Sequence, residues 1–248
     1  MLTRLTLTGA DDPTSIEEMF ALHRRFPFIE YGILYHSEKA GTGRYPSLRW
    51  IEALIEHCGI HNDDPPPFAL HLCGVTANRA FGGWRDFLPA SIALLLAKTG
   101  VRLDDVFGRV QMNLNLMAQL FTAADVQAAC LVHSEVNVIT QHNENNKGLA
   151  EKVGALNHQV LFDASGGKGL TPDAWPPAMS DRLCGYAGGL RLENLAAEMP
   201  KIFRAAGGKD HWIDLETGLR DADDKFSLDL CAQVADLVSR ELVLAVPP

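Results

Sequence analysis

Short apolar runs alternate along the chain with longer amphipathic segments. Short runs bounded by turn residues are typical of buried strands, whereas apolar residues at i, i+3 and i+4 indicate a helix that buries one face. Strands are predicted at residues 5–9, 28–35, 68–73, 110–114, 136–140, 160–164, 185–187 and 211–215. Helices are predicted around 16–23 and at 47–58, 91–98, 123–130, 149–156, 192–205 and 226–243.

Strands that alternate with helices pair in parallel, because each helix returns the chain to the same end of the sheet. Eight such strands predict a single-domain (βα)8 TIM barrel over residues 1–248. An open, doubly wound sheet is the alternative, since periodicity does not distinguish a closed sheet from an open one.

Charge and cysteine usage narrow the class of protein. The net charge is −9, which disfavours nucleic acid and acidic membrane surfaces as partners. The five cysteines are scattered without CxxC spacing, which favours free thiols in a reducing compartment. With no signal-like or membrane-spanning apolar run, we expect a cytoplasmic protein. A second copy of the chain is kept as a candidate partner, in a homo-oligomer.

The predicted strands end in polar residues. In a barrel, catalytic groups lie where the strands end and the βα-loops begin. The polar strand ends are Thr8, His36, His71, Cys73, Gln111, Asn113, Gln141, His142, Asp163, Asp214 and Glu216. This set predicts a polar site at one end of the barrel.

Three glycine-bearing loops follow the sixth, seventh and eighth strands: Gly166–Gly167, Gly188–Gly189 and Thr217–Gly218. Each of these pairs, taken alone, is typical of an ordinary tight turn. Together, at the strand ends of a barrel and before a helix, they predict a phosphate site. We therefore expect a small phosphorylated metabolite as the ligand, held without a cofactor.

Carboxylates end the sixth and eighth strands. Asp163 either caps its own loop or acts as a general acid beside the anion. Asp214 and Glu216 lie two residues apart and so share one face, where each is either an acid–base group or a hydrogen-bond anchor for substrate. Arg44, in a loop after the second strand, is either a surface residue or a clamp on an anionic substrate.

His71 and Cys73 also share a face and, with His36, raise the question of a metal site. Their spacing fits no zinc template, so we predict no metal. A metal-dependent barrel hydrolase or lyase that uses His36, His71 and Glu216 is the least favoured alternative.

Several of these segments resemble phosphoribosylanthranilate isomerase, a (βα)8 barrel of tryptophan biosynthesis. The run Tyr186-Ala187-Gly188-Gly189-Leu190, followed by Glu193-Asn194, is similar to the AGGL…EN phosphate loop of that family. The segments at 161–163, 214–218, 44–47 and 110–111 resemble its sixth-strand LLD, eighth-strand DVSSG, arginine and VQ segments.

The resemblance implies an Amadori rearrangement of a phosphorylated aminoaldose, with Asp163 as the acid. The base of the family is a cysteine at the end of the first strand, where this chain has Thr8. The second proton transfer is then expected from Thr8 or from one of His71, Cys73 and Glu216 in its place. Arg44, Gln111 and Asp214 are expected to bind substrate. This difference predicts an isomerase-like enzyme with a different phosphorylated substrate or reaction. The alternative is a non-catalytic barrel that binds a phosphometabolite.

Overall fold

Eight parallel strands close into a barrel in which each strand pairs with the next and β8 pairs with β1. The computed structural model describes residues 1–60, 65–74, 77, 88–113, 122–143, 146, 148–163 and 169–245. The predicted TIM barrel is therefore confirmed, and the open sheet is wrong. No helix in these ranges is long and apolar enough to cross a membrane.

The strands agree closely with the apolar runs of the sequence. They are β1 Leu2–Thr8, β2 Ile29–Tyr35, β3 Phe68–Leu72, β4 Phe107–Met112, β5 Asn137–His142, β6 His158–Asp163, β7 Cys184–Ala187 and β8 His211–Leu215. The α-helices of the described residues are α1 Ile16–Arg25, α2 Leu48–Ile60, α3 Ala90–Thr99, α4 Leu103–Val106, α5 Ala123–Val132, α6 Leu192–Ala206 and α7 Leu228–Ala245.

The predicted helix at 149–156 is wrong. The chain forms only a 3₁₀ turn at Ala150–Lys152, and although Ala150 and Val153 are buried, Leu156 is fully exposed, so the apolar residues of this segment do not share one buried helical face. The Arg182 guanidinium donates to the carbonyls of Ala150 and Val153 at 2.8 and 2.9 Å. A side chain from a distant segment thus takes the acceptors that a longer helix would use.

The connection between β6 and β7 has no helix across the described residues 169–183. Trp175 is buried there, and its ring meets Tyr186 edge-on at 5.9 Å between centroids. Its indole N–H donates to Glu198 on α6 at 2.8 Å. One aromatic side chain thus covers barrel surface that a helix usually covers.

The middle of the barrel holds a buried ion pair between Glu30 and Arg109. The Arg109 Nε donates to the carboxylate at 2.9 Å, and its guanidinium also donates to Thr6 and Gln159, each at 3.1 Å. The guanidinium carbon lies 4.4 Å from the centroid of the Trp212 ring. The floor beneath the strand ends is therefore a rigid polar layer.

Two glycines make room for this interior packing. A Cβ on Gly185 would lie 2.1 Å from the Trp212 ring, and one on Gly32 would lie 2.2 Å from the Thr8 hydroxyl. Side chains at these strand positions would displace Trp212 and Thr8. The glycines therefore allow larger groups from neighbouring strands to occupy the barrel axis.

His158, at the start of β6, is held neutral. Arg182 donates to its Nδ1 at 2.6 Å, which requires a lone pair there, and its Nε2 lies 2.9 Å from Thr140 Oγ1. Burial, together with repulsion from Arg182, lowers the pKa of His158 to about 4.

We predict that His158 contributes to loss of stability in mild acid. Below its unfolded pKa of about 6.5 the unfolded chain binds a proton that the folded chain excludes, so stability falls as the pH drops toward the folded pKa, by up to about 1.4 kcal/mol per pH unit. Urea unfolding of the wild type and of His158→Gln between pH 4 and 7 measures this slope. Equal slopes in the two proteins would contradict the prediction.

Candidate active site

A cavity of about 740 Å³ opens at the end of the barrel where the strands terminate. Its described lining includes Thr8, His36, Arg44, His71, Cys73, Gln111, Asn113, Gln141, Asp163, Gly188, Gly189, Asp214, Glu216 and Thr217. The structure therefore brings together most of the polar strand ends. Gly166 and Gly167 lie outside the described residues, and Gly218 is not among the residues that line the cavity.

Thr8 and Asp214 form a buried pair on the cavity wall. The Thr8 hydroxyl donates to Oδ1 of Asp214 at 2.8 Å, across the seam where β1 meets β8. Burial raises the pKa of Asp214 well above its usual range; the negative charge of Glu216 adds to this, and the Thr8 hydrogen bond opposes it. Because Oδ1 accepts from Thr8, Oδ2 is the oxygen left to carry a proton in the neutral form of Asp214, which burial favours. Thr8 therefore serves as a donor to this acid.

Asp163 ends β6 on the same cavity and is also buried. The side-chain amide of Gln141, on the neighbouring β5, donates to its Oδ2 at 3.3 Å. An ideal Cβ on Gly188 would come within 3.7 Å of its Oδ1, so the carboxylate lies directly beside the paired glycines. The Asp163 carboxylate and the loop after β7 thus line the same part of the cavity.

His71 and Cys73 make poor bases in this setting. Burial, reinforced by Arg109, lowers the pKa of His71 to about 3, so its imidazole is neutral. Burial, reinforced by the charge of Glu216, raises the pKa of Cys73 to about 12. The thiol is therefore protonated at neutral pH, and its sulfur accepts a 3.2 Å hydrogen bond from Asn113.

Arg44 and Glu216 form an ion pair at the rim. The guanidinium lies 2.5 Å from Glu216 Oε1 and 3.8 Å from Asp224, and the two paired side chains are about one-third exposed. Arg220 ties the same loop to Asp11 at 2.9 Å. These contacts hold the loops at the cavity opening together, and they pair the charge of Arg44 with that of Glu216.

The paired glycines lie in left-handed backbone conformations, with φ of +122° at Gly188 and +61° at Gly189. Their φ values would strain other residues, and a Cβ on Gly189 would lie 2.5 Å from the Thr171 backbone nitrogen. Helix α6 begins three positions later, at Leu192. The turn therefore combines close backbone packing with a helix N-terminus, the arrangement used by anion sites.

Asn194 fastens this turn, a role that sequence reasoning missed. Its side-chain amide donates to the Gly189 carbonyl at 2.8 Å, while its Oδ1 accepts from the Arg191 N–H at 2.9 Å. The only signal was its place in the AGGL…EN run. Arg191 in turn forms a parallel bridge with Gly218, which joins the loops after β7 and β8.

Within the part of the chain that the structure describes, no three His, Cys, Asp or Glu side chains cluster in a way that could hold a metal ion. His36, His71 and Glu216 do not form such a group. Lys39 and Tyr45 also line the cavity, although no role was predicted for either residue. Both lie in the loop that carries Arg44, and this shared position after the second strand is the signal in the sequence that points to them.

The fold and the site define a (βα)8 barrel with acidic strand ends and paired glycines on its seventh loop. No protein-family model and no curated protein sequence matches the chain. Among solved structures, TrpF from Jonesia denitrificans is similar at 15% identity and a TM-score of 0.57, covering 96% of this chain and 97% of that one.

Two further structures carry the same likeness. Phosphoribosylanthranilate isomerase from Thermus thermophilus matches at 14% identity and a TM-score of 0.58, over 96% of this chain and 99% of that one. A phosphoribosylanthranilate isomerase in complex with reduced 1-(o-carboxyphenylamino)-1-deoxyribulose 5-phosphate matches at 13% identity and a TM-score of 0.53, over 97% of this chain and 100% of that one. At these identities the likeness shows a shared barrel fold, in agreement with the resemblance drawn from the sequence.

Proposed function

We propose that the protein is an acid–base isomerase acting on a phosphorylated, sugar-derived small molecule. The observation that carries this proposal is one cavity that joins two buried carboxyl groups, Asp163 and Asp214, to the paired glycines Gly188–Gly189. An aldose-to-ketose rearrangement needs these parts: an acid, a base and an anchor for the phosphate.

We assign the phosphate to the loops after β7 and β8. Gly188, Gly189 and Thr217 line the cavity there, and the N-terminus of α6 lies close behind them. Backbone N–H groups and a helix N-terminus favour a doubly charged phosphate without a dedicated cationic side chain. A solved structure with a similar barrel fold is in complex with a phosphorylated ligand, which supports a phosphorylated small molecule as the ligand of this chain.

The two carboxyls then divide the proton transfers. Asp214 is held protonated and donates to the ring oxygen, so that the ring opens and a carbonyl or Schiff base forms at C1. Asp163 takes the proton from C2, which leaves an enol or enamine with a hydroxyl group on C2. Asp163 then returns this proton to C1 while Asp214 takes the proton of the C2 hydroxyl, so that the ketose forms and both carboxyl groups regain their starting states. This exchanges the acid role that the family resemblance gave to Asp163, because burial favours the protonated form of Asp214 and the Thr8 hydroxyl is engaged as a donor to it.

A turnover panel tests the activity. Phosphoribosylanthranilate and a set of aldose 5-phosphates and their N-glycosides are incubated with the enzyme in D₂O, and deuterium at C2 and ketose product are followed by NMR. We expect C2 exchange with at least one phosphorylated member and none with its dephosphorylated form. Binding without exchange across the panel would favour the non-catalytic barrel, which the threonine at position 8 also suggests.

Asn194 provides an independent test of the phosphate site. We predict that Asn194→Ala weakens ribose 5-phosphate binding about tenfold, because the Gly189 carbonyl loses its donor and the turn relaxes. Calorimetric titration of ribose 5-phosphate measures the change.

Asn194→Asp is the matched control for this prediction. It keeps an acceptor for the Arg191 N–H and places a negative charge near the helix N-terminus, so thermal stability should be retained while phosphate affinity still falls. If both variants bound ribose 5-phosphate like the wild type, the turn would not be the phosphate site.

A further inference from the structure

The loop after β2 presents Arg44 to the cavity through a compact turn. Before Arg44, the Gly41 N–H donates to the Tyr45 carbonyl at 2.9 Å. After it, the Ser47 N–H donates to Oδ1 of Asp12 at 2.6 Å. These hydrogen bonds hold the backbone on both sides of Arg44, whose side chain lines the cavity and stays 29% exposed. The guanidinium is therefore held within reach of a ligand.

Glu216 meets Arg44 from the end of β8. Its side chain lines the same cavity as that of Asp214, two residues earlier, because side chains two apart along a strand project to one face. Its Oε1 lies 2.5 Å from one guanidinium nitrogen of Arg44. The second acidic neighbour, Asp224, lies 3.8 Å from the other terminal nitrogen and is 70% exposed. Glu216 is thus the carboxylate with the short contact to Arg44.

This ion pair uses a group with which Arg44 would bind a carboxylate of a ligand. A guanidinium presents a planar set of donors that suits a carboxylate, and one of these donors already points at Glu216. A ligand carboxylate at Arg44 has to displace Glu216 or lie beside its negative charge, and like charges side by side oppose binding. An ion pair this exposed adds little to stability, so its main consequence is for ligand choice.

We infer that Glu216 is a specificity-determining residue, which occupies Arg44 as a built-in carboxylate and thereby disfavours substrates that bring their own carboxylate to Arg44. The inference rests on the proposed function, because the phosphate holds the substrate in the cavity that both side chains line. Removing the charge at position 216 should therefore release Arg44 for a carboxylate of the ligand.

A matched pair of ligands tests the inference. The probes are reduced 1-(o-carboxyphenylamino)-1-deoxyribulose 5-phosphate and its o-carbamoyl counterpart, which differ only in carboxylate against carboxamide. Calorimetric titration at pH 7.5 gives the ratio of their affinities for the wild type and for Glu216→Gln. We expect Glu216→Gln to shift this ratio about tenfold toward the carboxylate. A shift below about threefold would overturn the inference.

Asp224→Asn is the matched control for Glu216→Gln. It also removes one negative charge near Arg44, but it leaves the 2.5 Å pair with Glu216 in place. Because the Asp224 carboxylate is exposed and screened by solvent, the affinity ratio should shift by less than about twofold. Equal shifts in the two variants would show a general effect of charge at the cavity opening and would remove the special role of Glu216.

Arg44→Lys in the Glu216→Gln background shows whether Arg44 itself takes the ligand carboxylate. The single and the double variant carry the same net charge, but lysine lacks the planar fork of arginine. The double variant should therefore lose most of the shift toward the carboxylate. A shift as large as in Glu216→Gln alone would mean that the released guanidinium does not bind the ligand, and the inference would be wrong.

Ribose 5-phosphate, titrated in parallel, separates failure of this inference from failure of the proposed function. If ribose 5-phosphate binds and the affinity ratio does not shift, or the carboxylate probe fails to bind Glu216→Gln, the phosphate site stands and the inference alone is wrong. If ribose 5-phosphate and both probes fail to bind the wild type and the variants, the proposed function falls and the inference falls with it.

Discussion

Asp214→Asn is expected to abolish most turnover and, at the same time, to stabilise the protein at neutral pH. Asparagine has the shape of a protonated aspartate and still accepts the Thr8 hydrogen bond, but it has no acidic proton to donate. Loss of a positioned general acid typically lowers the rate by roughly 10²–10⁴-fold. The measurement is kcat/KM on whichever phosphorylated substrate shows C2 exchange in the panel.

The stability gain follows from the sign of the pKa shift. Burial raises the pKa of folded Asp214, whereas the unfolded side chain ionises near pH 3.9. Between those two values the folded chain binds more protons, so wild-type stability decreases as the pH rises through that window. The asparagine variant lacks this term, and its advantage in urea unfolding should grow from pH 4 toward neutral pH.

A matched control isolates the effect. Asp173→Asn makes the same chemical change at an exposed position and should alter neither turnover nor stability. A variant at position 214 that is inactive but also destabilised would indicate a structural role for the carboxyl group. Full activity of that variant would remove Asp214 from the proton-transfer chemistry.

The sequence predicted the parts of this site better than their pairing. Alternating apolar runs located every strand, and the residues at the predicted strand ends included both carboxylates, Asp163 and Asp214. The Thr8–Asp214 hydrogen bond joins positions 206 residues apart, and it exists only because β8 closes onto β1. Which strand-end side chains meet depends on strand tilt and stagger, which the apolar pattern does not encode. Thr8 therefore appeared as a missing base and not as a partner of Asp214.

The buried ion pair was missed for a related reason. Apolar runs predicted that the fourth strand begins at Val110, but β4 begins at Phe107 and includes Arg109. A charged residue interrupts an apolar run, so pattern reasoning ends the strand where a buried arginine begins. Glu30 lay inside a predicted strand, and a buried carboxylate without a predicted partner was the available signal.

Arg109→Met is expected to lower the free energy of unfolding by about 3–5 kcal/mol, the usual result of leaving one member of a buried ion pair alone. Glu30 would keep the 2.8 Å contact with Arg4, which is partly exposed, and the 3.0 Å hydrogen bond from Thr6. It would lose both guanidinium contacts, and Trp212 would lose the cation above its ring. Against a typical total stability of about 5–15 kcal/mol, this loss is large enough to measure by urea unfolding.

The pH dependence identifies the cause of that loss. Burial raises the pKa of Glu30, but the charge and hydrogen bonds of Arg109, helped by Arg4 and Thr6, outweigh it and hold the pKa below its usual range. Wild-type Glu30 thus adds stability above its unfolded pKa of about 4.3, and this is lost as the pH falls through the folded value. Without Arg109, burial dominates and the carboxylate becomes a penalty that grows above pH 4.3. The deficit of the variant should therefore shrink between pH 7 and pH 4.

Neutralising Glu30 in the Arg109→Met background distinguishes two causes of the lower stability, an unpaired buried charge and lost packing. Arg109→Met/Glu30→Gln removes the charge while keeping the shape of residue 30, so it should recover a large part of the deficit at pH 7. Its stability relative to the wild type should also vary less with pH than that of the single variant. If the double variant were no more stable than Arg109→Met, lost packing against Trp212 would account for the deficit. A polar layer at this depth would then support the cavity floor through shape, and the ion pair would add no net stability.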